Sequence, residues 1–196
     1  MSEKISRRVF LKATGLAALS IAAAGTLGGC SLSPLPSNVT LPSVDNDAYQ
    51  TVVGGENASY DIAFSSLSDE WESMSIYEKD SKAHRYIYAG LYIKNADKKF
   101  TLPASNVQCT IGGKAATVAG LGNITLNKGA TAYEFPTKVD VAVTTPVGVP
   151  LYIDLGDRKL SDLIATPIEI TVKSSGKTIK ASYTTPSISA PTLTIS

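Results

Sequence analysis

Thiols, imidazoles and paired carboxylates carry most protein chemistry, and this chain is sparing with all three. It holds two cysteines, Cys30 and Cys109, and one histidine, His84. An imidazole with no carboxylate and no Ser or Cys nucleophile beside it in any motif is a poor general base. Two thiols and one imidazole also fall short of a zinc or iron–sulfur ligand set. Asp154-Leu155-Gly156-Asp157 and Asp45-Asn46-Asp47 each place two carboxylates on a short stretch. Neither repeats the roughly six to eight oxygen ligands that Ca²⁺ takes, so both read as capped turns. Gly112-Gly113 and Gly120-Leu121-Gly122 read as hairpin turns rather than phosphate cradles, because no helix follows to present its N-terminus. No catalytic residue, metal or cofactor is expected.

The chemistry of Cys30 depends on what precedes it. Lys4, Arg7, Arg8 and Lys12 form a cationic leader, and the run from Ala13 to Leu27 carries no charge. A helix rises about 1.5 Å per residue and needs roughly 20 residues to cross the hydrocarbon of a bilayer, so this run is too short to span. It fits the apolar region of a cleaved signal helix. It is also only mildly hydrophobic, being mostly Ala interrupted by Thr14, Gly15, Ser20, Gly25 and Thr26.

Ser6-Arg7-Arg8-Val9-Phe10-Leu11-Lys12 resembles the S-R-R-x-F-L-K motif of twin-arginine export signals at every specified position. The resemblance implies that Arg7, Arg8, Phe10 and Leu11 are read by an export apparatus, and such signals are typically less apolar than those of the general secretory route. Leu27-Gly28-Gly29-Cys30 resembles a lipobox, in which small residues let a signal peptidase reach the backbone. It implies that residues 1–29 are removed and that Cys30, the new N-terminus, carries a diacylglyceryl group with palmitate-type chains. Each buried CH₂ contributes about 0.8 kcal/mol of membrane affinity, so two chains make a stable anchor. The expected partner of Cys30 is therefore the lipid bilayer, and the expected location is the extracytoplasmic face of the cell membrane.

Charge places the remainder. The whole chain has 18 Lys and Arg against 17 Asp and Glu; without Glu3, Lys4, Arg7, Arg8 and Lys12 the balance is 14 against 16, a net of −2. A near-neutral chain with no basic cluster gives no electrostatic reason to expect nucleic acid as a partner. Its 167 residues from Cys30 onward suit one domain.

Once Cys30 is acylated, Cys109 has no partner for an intrachain disulfide. In Asn106-Val107-Gln108-Cys109-Thr110-Ile111, period-two alternation puts Val107, Cys109 and Ile111 on one strand face. A buried thiol acting as a small hydrophobe is the preferred reading; a reactive or cross-linking thiol is the alternative.

Residues 30–47 read as the lipidated N-terminus and a tether. Positions 31–47 hold three prolines and no periodic apolar face, and at about 3.1 Å per residue would lift a domain roughly 50 Å from the lipid. Residues 186–196 read as a tail, either a last edge strand or disordered.

Between them, 48–185 is a chain of period-two segments. Tyr60-Ile62-Phe64, Met74-Ile76, Arg85 to Lys94, Val107 to Ile111, Ile124 to Leu126, Thr131 to Phe135, Val139 to Val143, Val149 to Leu155, Ile168 to Val172 and Ile179 to Tyr183 read as short strands. Turns are expected at Asn95-Ala96-Asp97-Lys98, Gly112-Gly113, Asn127-Lys128-Gly129 and Ser174-Ser175-Gly176. Only Asp157 to Ile164 suggests a helical turn, with Leu160, Leu163 and Ile164 at helical spacing. The pattern predicts an all-β, antiparallel β-sandwich, with a closed barrel as the alternative.

Over residues 58–183 this pattern resembles the immunoglobulin-like modules of Gram-positive surface lipoproteins. There a Tyr-rich central strand runs into an Asn-centred turn, here Tyr86 to Asn95, followed by Phe100-Thr101-Leu102-Pro103. The likeness implies fold more than function. It departs from antibody-type domains, whose buried Trp is flanked by a Cys pair; Trp71 has no such companions.

His84, Tyr86, Tyr88 and Tyr92 share one strand face and form the candidate binding face. Tyr offers apolar area with a polar tip, suited to a protein or carbohydrate partner. The competing and preferred reading packs this face under another layer, Tyr being a good strand former. Three functions are weighed: a non-catalytic, lipid-anchored binding or structural module at the cell surface; an accessory or chaperone subunit of an exported redox or cell-envelope complex; and a surface hydrolase, which lacks any nucleophile or paired-acid signature. The first is preferred.

Overall fold

The computed structural model describes residues 41–54, 58–73, 84–126, 133–158, 160–184 and 191–196. Arg7, Arg8, Phe10, Leu11 and Cys30 lie outside these residues, as do Met74, Ile76 and Asn127-Lys128-Gly129. For His84 the structure describes the backbone, paired with Ser73.

The strands are β1 (Gln50–Val52), β2 (Tyr60–Ser73), β3 (His84–Lys94), β4 (Phe100–Pro103), β5 (Val107–Ile111), β6 (Lys114–Leu121), β7 (Thr125–Leu126), β8 (Tyr133–Glu134), β9 (Lys138–Val141), β10 (Val147–Gly156), β11 (Ile168–Ser174), β12 (Lys177–Tyr183) and β13 (Thr192–Ile195). Nine of them form one sheet in the order β1-β2-β3-β10-β6-β5-β11-β12-β13, and every pairing is antiparallel. Two small ribbons, β4-β9 and β7-β8, complete the set.

The sheet is rolled until its two edges nearly meet. Gln50 of β1 donates from Nε2 to the carbonyl of Leu193 in β13 at 3.1 Å. The bend runs through β6, whose residues Lys114 to Ala116 pair with β5 while Thr117 to Leu121 pair with β10. A register slip beside Tyr152 accommodates it, as bulges commonly do where a sheet turns a corner. Inward side chains from both halves form one core, including Ile62, Phe64, Ile87, Leu91, Leu151, Ile153, Ile170, Val172 and Ile179. Each large apolar side chain so buried contributes about 1.5–3 kcal/mol.

The hairpins follow from local backbone chemistry. Gly112 and Gly113 have φ of 58° and 75°, and Ser175 and Gly176 have 53° and 71°, the left-handed pair that a two-residue hairpin between right-twisted strands requires. Asn95, at φ 55°, ends β3 where the turn was expected.

Val107, Cys109 and Ile111 all face the core while Gln108 is exposed, as the alternation predicts. Two readings are corrected. Gly120 is not in a turn: it lies inside β6, a strand whose Ala-rich, Gly-containing sequence hides it from a hydrophobic-period search. Residues 41–47 are not free tether but lie on the sheet, with a single 3₁₀ turn at Asn46–Ala48. Of the two readings of the 186–196 tail, the edge strand is the one found: Thr192–Ile195 forms β13 and pairs with β12. In the expected helical stretch, a 3₁₀ turn at Leu160–Leu163 buries Leu163 and leaves Ile164 exposed.

Candidate functional site

β3 presents Ile87, Ala89, Leu91 and Ile93 to the core, which sends Tyr86, Tyr88 and Tyr92 to the outer face, as period-two geometry demands. That face is not an open stripe. Tyr86 is 3% exposed and Tyr88 8%, and both join Tyr152 of β10 in a second, smaller apolar cluster outside the sheet. Tyr152 stands directly across from Tyr88, their ring centroids 5.8 Å apart. Phe135 closes the layer, 5.0 Å from Tyr86 and edge-on to Tyr152 at 5.5 Å.

Phe135 reaches this position because residues 135–136 cross directly over β6. The Leu121 amide donates to the Pro136 carbonyl at 2.8 Å, and a Cβ on Gly120 would lie 2.6 Å from Phe135 Cβ. Glycine is therefore required at 120 for close backbone approach. Leu41, Ala119 and Ile124 fill the rest of the layer.

Tyr92, half-buried, lies on a bed of two glycines. A Cβ at Gly90 would stand 2.7 Å from its Cε2, and one at Gly148, its cross-strand neighbour, 2.8 Å from its Cε1. Its hydroxyl donates to the Pro42 carbonyl at 2.6 Å. Next along, Lys94 Nζ donates to Asn46 Oδ1 at 3.1 Å and sits 3.7 Å over the Tyr49 ring. In this structure, then, what the tyrosine face holds is the chain's own segment 41–49.

Burial pushes the Tyr152 phenol well above its ordinary range, reinforced by Tyr88, and burial does the same at Tyr92. The Tyr152 hydroxyl has no hydrogen-bond partner. Burial raises the Cys109 thiol to about 12, with Arg158 pulling weakly the other way, so the thiol stays protonated near neutrality.

The acidic pairs are turns. Gly156, at φ 65°, donates its amide to Asp154 Oδ1 at 2.6 Å. Asp45 and Asp47 flank an open groove of about 450 Å³ shared with Ser43, Val44, Ala48, Ser65, Ser66 and Pro191. Among the described residues no three His, Cys, Asp or Glu side chains gather as a metal site.

Sequence reasoning missed Ser65, a buried polar residue among the described residues of the core. It sits in a bulge of β2, where an extra residue breaks the ladder to β3. Its hydroxyl accepts the Gly90 amide at 2.7 Å and donates to the Ser66 carbonyl at 2.7 Å, replacing the lost ladder bonds. The interrupted alternation Phe64-Ser65-Ser66-Leu67 is the signal that marks it. No family model, no curated protein and no solved structure matches this chain.

Proposed function

We propose that the protein is a lipid-anchored extracytoplasmic module, exported by a twin-arginine signal, acylated on Cys30 and acting without catalysis at the membrane surface. The observation that carries this is the sequence order itself: Arg7-Arg8 with Phe10 and Leu11, a charge-free run, then Leu27-Gly28-Gly29-Cys30. The geometry of the domain is compatible with it. The chain comes onto the sheet at Leu41 and Pro42, with ten residues between Cys30 and Leu41, so only a short stretch joins anchor and domain. We read the rolled sheet as a variant of the immunoglobulin-like arrangement, with β1-β2-β3-β10 and β5-β11-β12-β13 as its two layers and β6 passing between them.

The test is fractionation of cells producing the full chain. Arg7→Lys with Arg8→Lys should leave the protein unexported, and Cys30→Ala should release it from membranes or leave it unprocessed. Undiminished surface display of the double Lys variant, or equal fatty-acid incorporation into Cys30→Ala, contradicts the proposal.

A further inference from the structure

The stretch that leads onto the sheet repeats itself. Leu-Pro-Ser stands at 41–43, where the chain docks, and again at 35–37, six residues earlier; it occurs nowhere else in the sequence. Proline fixes its own φ near −65° and keeps the residue before it out of the helical region. Both tripeptides are therefore biased by their own chemistry toward the same extended shape.

The docked copy is held by its leucine and its proline. Leu41 packs on the layer of Tyr86, Tyr88 and Tyr152, with Cδ1 3.8 Å from where a Gly148 Cβ would stand. The Tyr92 hydroxyl donates to the Pro42 carbonyl at 2.6 Å. Ser43 is exposed, at the rim of the groove it shares with Ser66 and Pro191. A leucine side chain followed by a proline carbonyl is what this cradle reads, and Leu35-Pro36 offers both.

Nothing downstream has to slip for the earlier copy to take this place. The Ala48 amide donates to the Asp45 carbonyl at 3.1 Å, Lys94 Nζ donates to Asn46, and Gln50 pairs with Ile62 in the β1–β2 ladder, where Val52 is fully buried. These contacts fix residues 45–52 without help from 41–43. Seating Ser37 where Ser43 lies leaves 38–43 as a six-residue loop, long enough to close as a compact surface loop. Loop closure costs an entropy that grows only as the logarithm of length, and for six residues it disfavours the earlier copy by roughly tenfold.

We propose that the Tyr92 cradle, with Gly90 and Gly148 beneath the ring, is a recognition site for Leu-Pro-Ser that exchanges between the two copies on its own chain. Leu41-Pro42-Ser43 is the major occupant and Leu35-Pro36-Ser37 the minor one. A copy on a second chain competes poorly, because a ligand on a short flexible linker acts at an effective concentration of about millimolar. Exchange resets the reach of the N-terminal stretch. Ten residues lie between Cys30 and Leu41 but four between Cys30 and Leu35, so the fully extended span falls from about 36 Å to about 14 Å. The exchange stands apart from the lipid-anchor reading; only its consequence for the distance between anchor and domain rests on it.

The test is photo-crosslinking in the full chain, with a photoreactive residue in place of Ser43 or of Ser37 and the products mapped by mass spectrometry. From position 43 products are expected on the groove residues Ser66 and Pro191. From position 37 the same residues should be reached at about a tenth of that yield, and Leu35→Ala should remove those products. Leu35→Ala leaves the docked copy untouched, so this arm does not depend on what Leu41 tolerates. Leu41→Ala should raise the yield from position 37 severalfold, and Leu35→Ala combined with Leu41→Ala should return it to background. In a mixture of isotopically light and heavy chains, every product should join residues of one chain. No groove product from position 37, a yield indifferent to Leu35, or products joining light to heavy chains overturns the proposal. An unacylated Cys30 in the same sample would remove the anchor and leave these products unchanged, so the two failures are told apart.

Discussion

The hydroxyl of Tyr183, in β12, donates to the backbone carbonyl of Ser65, in β2, at 2.9 Å. The two residues are 118 positions apart in the chain. Tyr183 is 3% exposed, and burial holds its phenol far above the ordinary range. This bond joins the two halves of the roll through its interior, at the bulge where β2 leaves the ladder.

Tyr183→Phe should therefore strand a buried carbonyl. The expected loss is about 1–2 kcal/mol, read as a lower melting temperature at roughly 2–4 °C per kcal/mol for a domain of this size. An unchanged melt would show that water or a shifted backbone satisfies Ser65 instead.

Gly120→Ala places a methyl 2.6 Å from Phe135 Cβ and 2.9 Å from the Pro136 carbonyl, so the crossing segment must move. Overpacking of this kind costs about 1–3 kcal/mol. Gly113→Ala is the matched comparison, because its added Cβ meets nothing and only its φ of 75° is strained. Both variants should melt lower, but only Gly120→Ala should disturb the near-ultraviolet circular dichroism of Tyr86, Tyr152 and Phe135. The same spectrum in both would place the aromatic layer elsewhere.

Tyr92→Phe frees the Pro42 carbonyl without changing the ring on its glycine bed. Amide exchange at Ala48, whose N–H donates to Asp45 at 3.1 Å, should quicken while exchange in β3 stays the same. Equal rates in wild type and variant would mean that Leu41 alone seats the segment.

Cys109 gives a pH dependence with a defined sign. Its folded pKa, about 12, is above that of an unfolded thiol near 9, so the folded state binds the proton more tightly. The stability from this group is full below pH of about 9 and is lost as pH rises toward about 12. Other groups titrate there too, so the informative quantity is the difference between wild type and Cys109→Ala, which should shrink across that window. A constant difference would put the thiol in water, as would rapid labelling of the native protein. Cys109→Ser should cost more than Cys109→Ala, by about 1–3 kcal/mol for a desolvated hydroxyl without a partner.

Strands that alternate strongly were legible in the sequence: Arg85 to Lys94, Val107 to Ile111 and Ile168 to Val172 lie where their apolar periods place them. β6 was not, because Lys-Ala-Ala-Thr-Val-Ala-Gly-Leu earns its place by smallness: Gly120 admits Phe135, and Ala119 sits at the register slip. The shared face of Tyr86, Tyr88 and Tyr92 was legible as well. Its burial under another layer was the preferred reading and holds at Tyr86 and Tyr88; what covers the face was not legible, since that is Tyr152 opposite with Phe135 and Leu41 arriving from distant parts of the chain. The docking of residues 41–47 was hidden for a related reason. Its polar holds, Tyr92 to Pro42 and Lys94 to Asn46, are long-range contacts that leave no period in a Pro/Ser-rich stretch.

The anchor is the central claim, and the mass of the mature chain tests it most directly. Protein recovered from the membranes of producing cells should begin at Cys30 and carry the added mass of a diacylglyceryl group on that residue. A chain beginning elsewhere, or beginning at Cys30 with a free thiol, contradicts it.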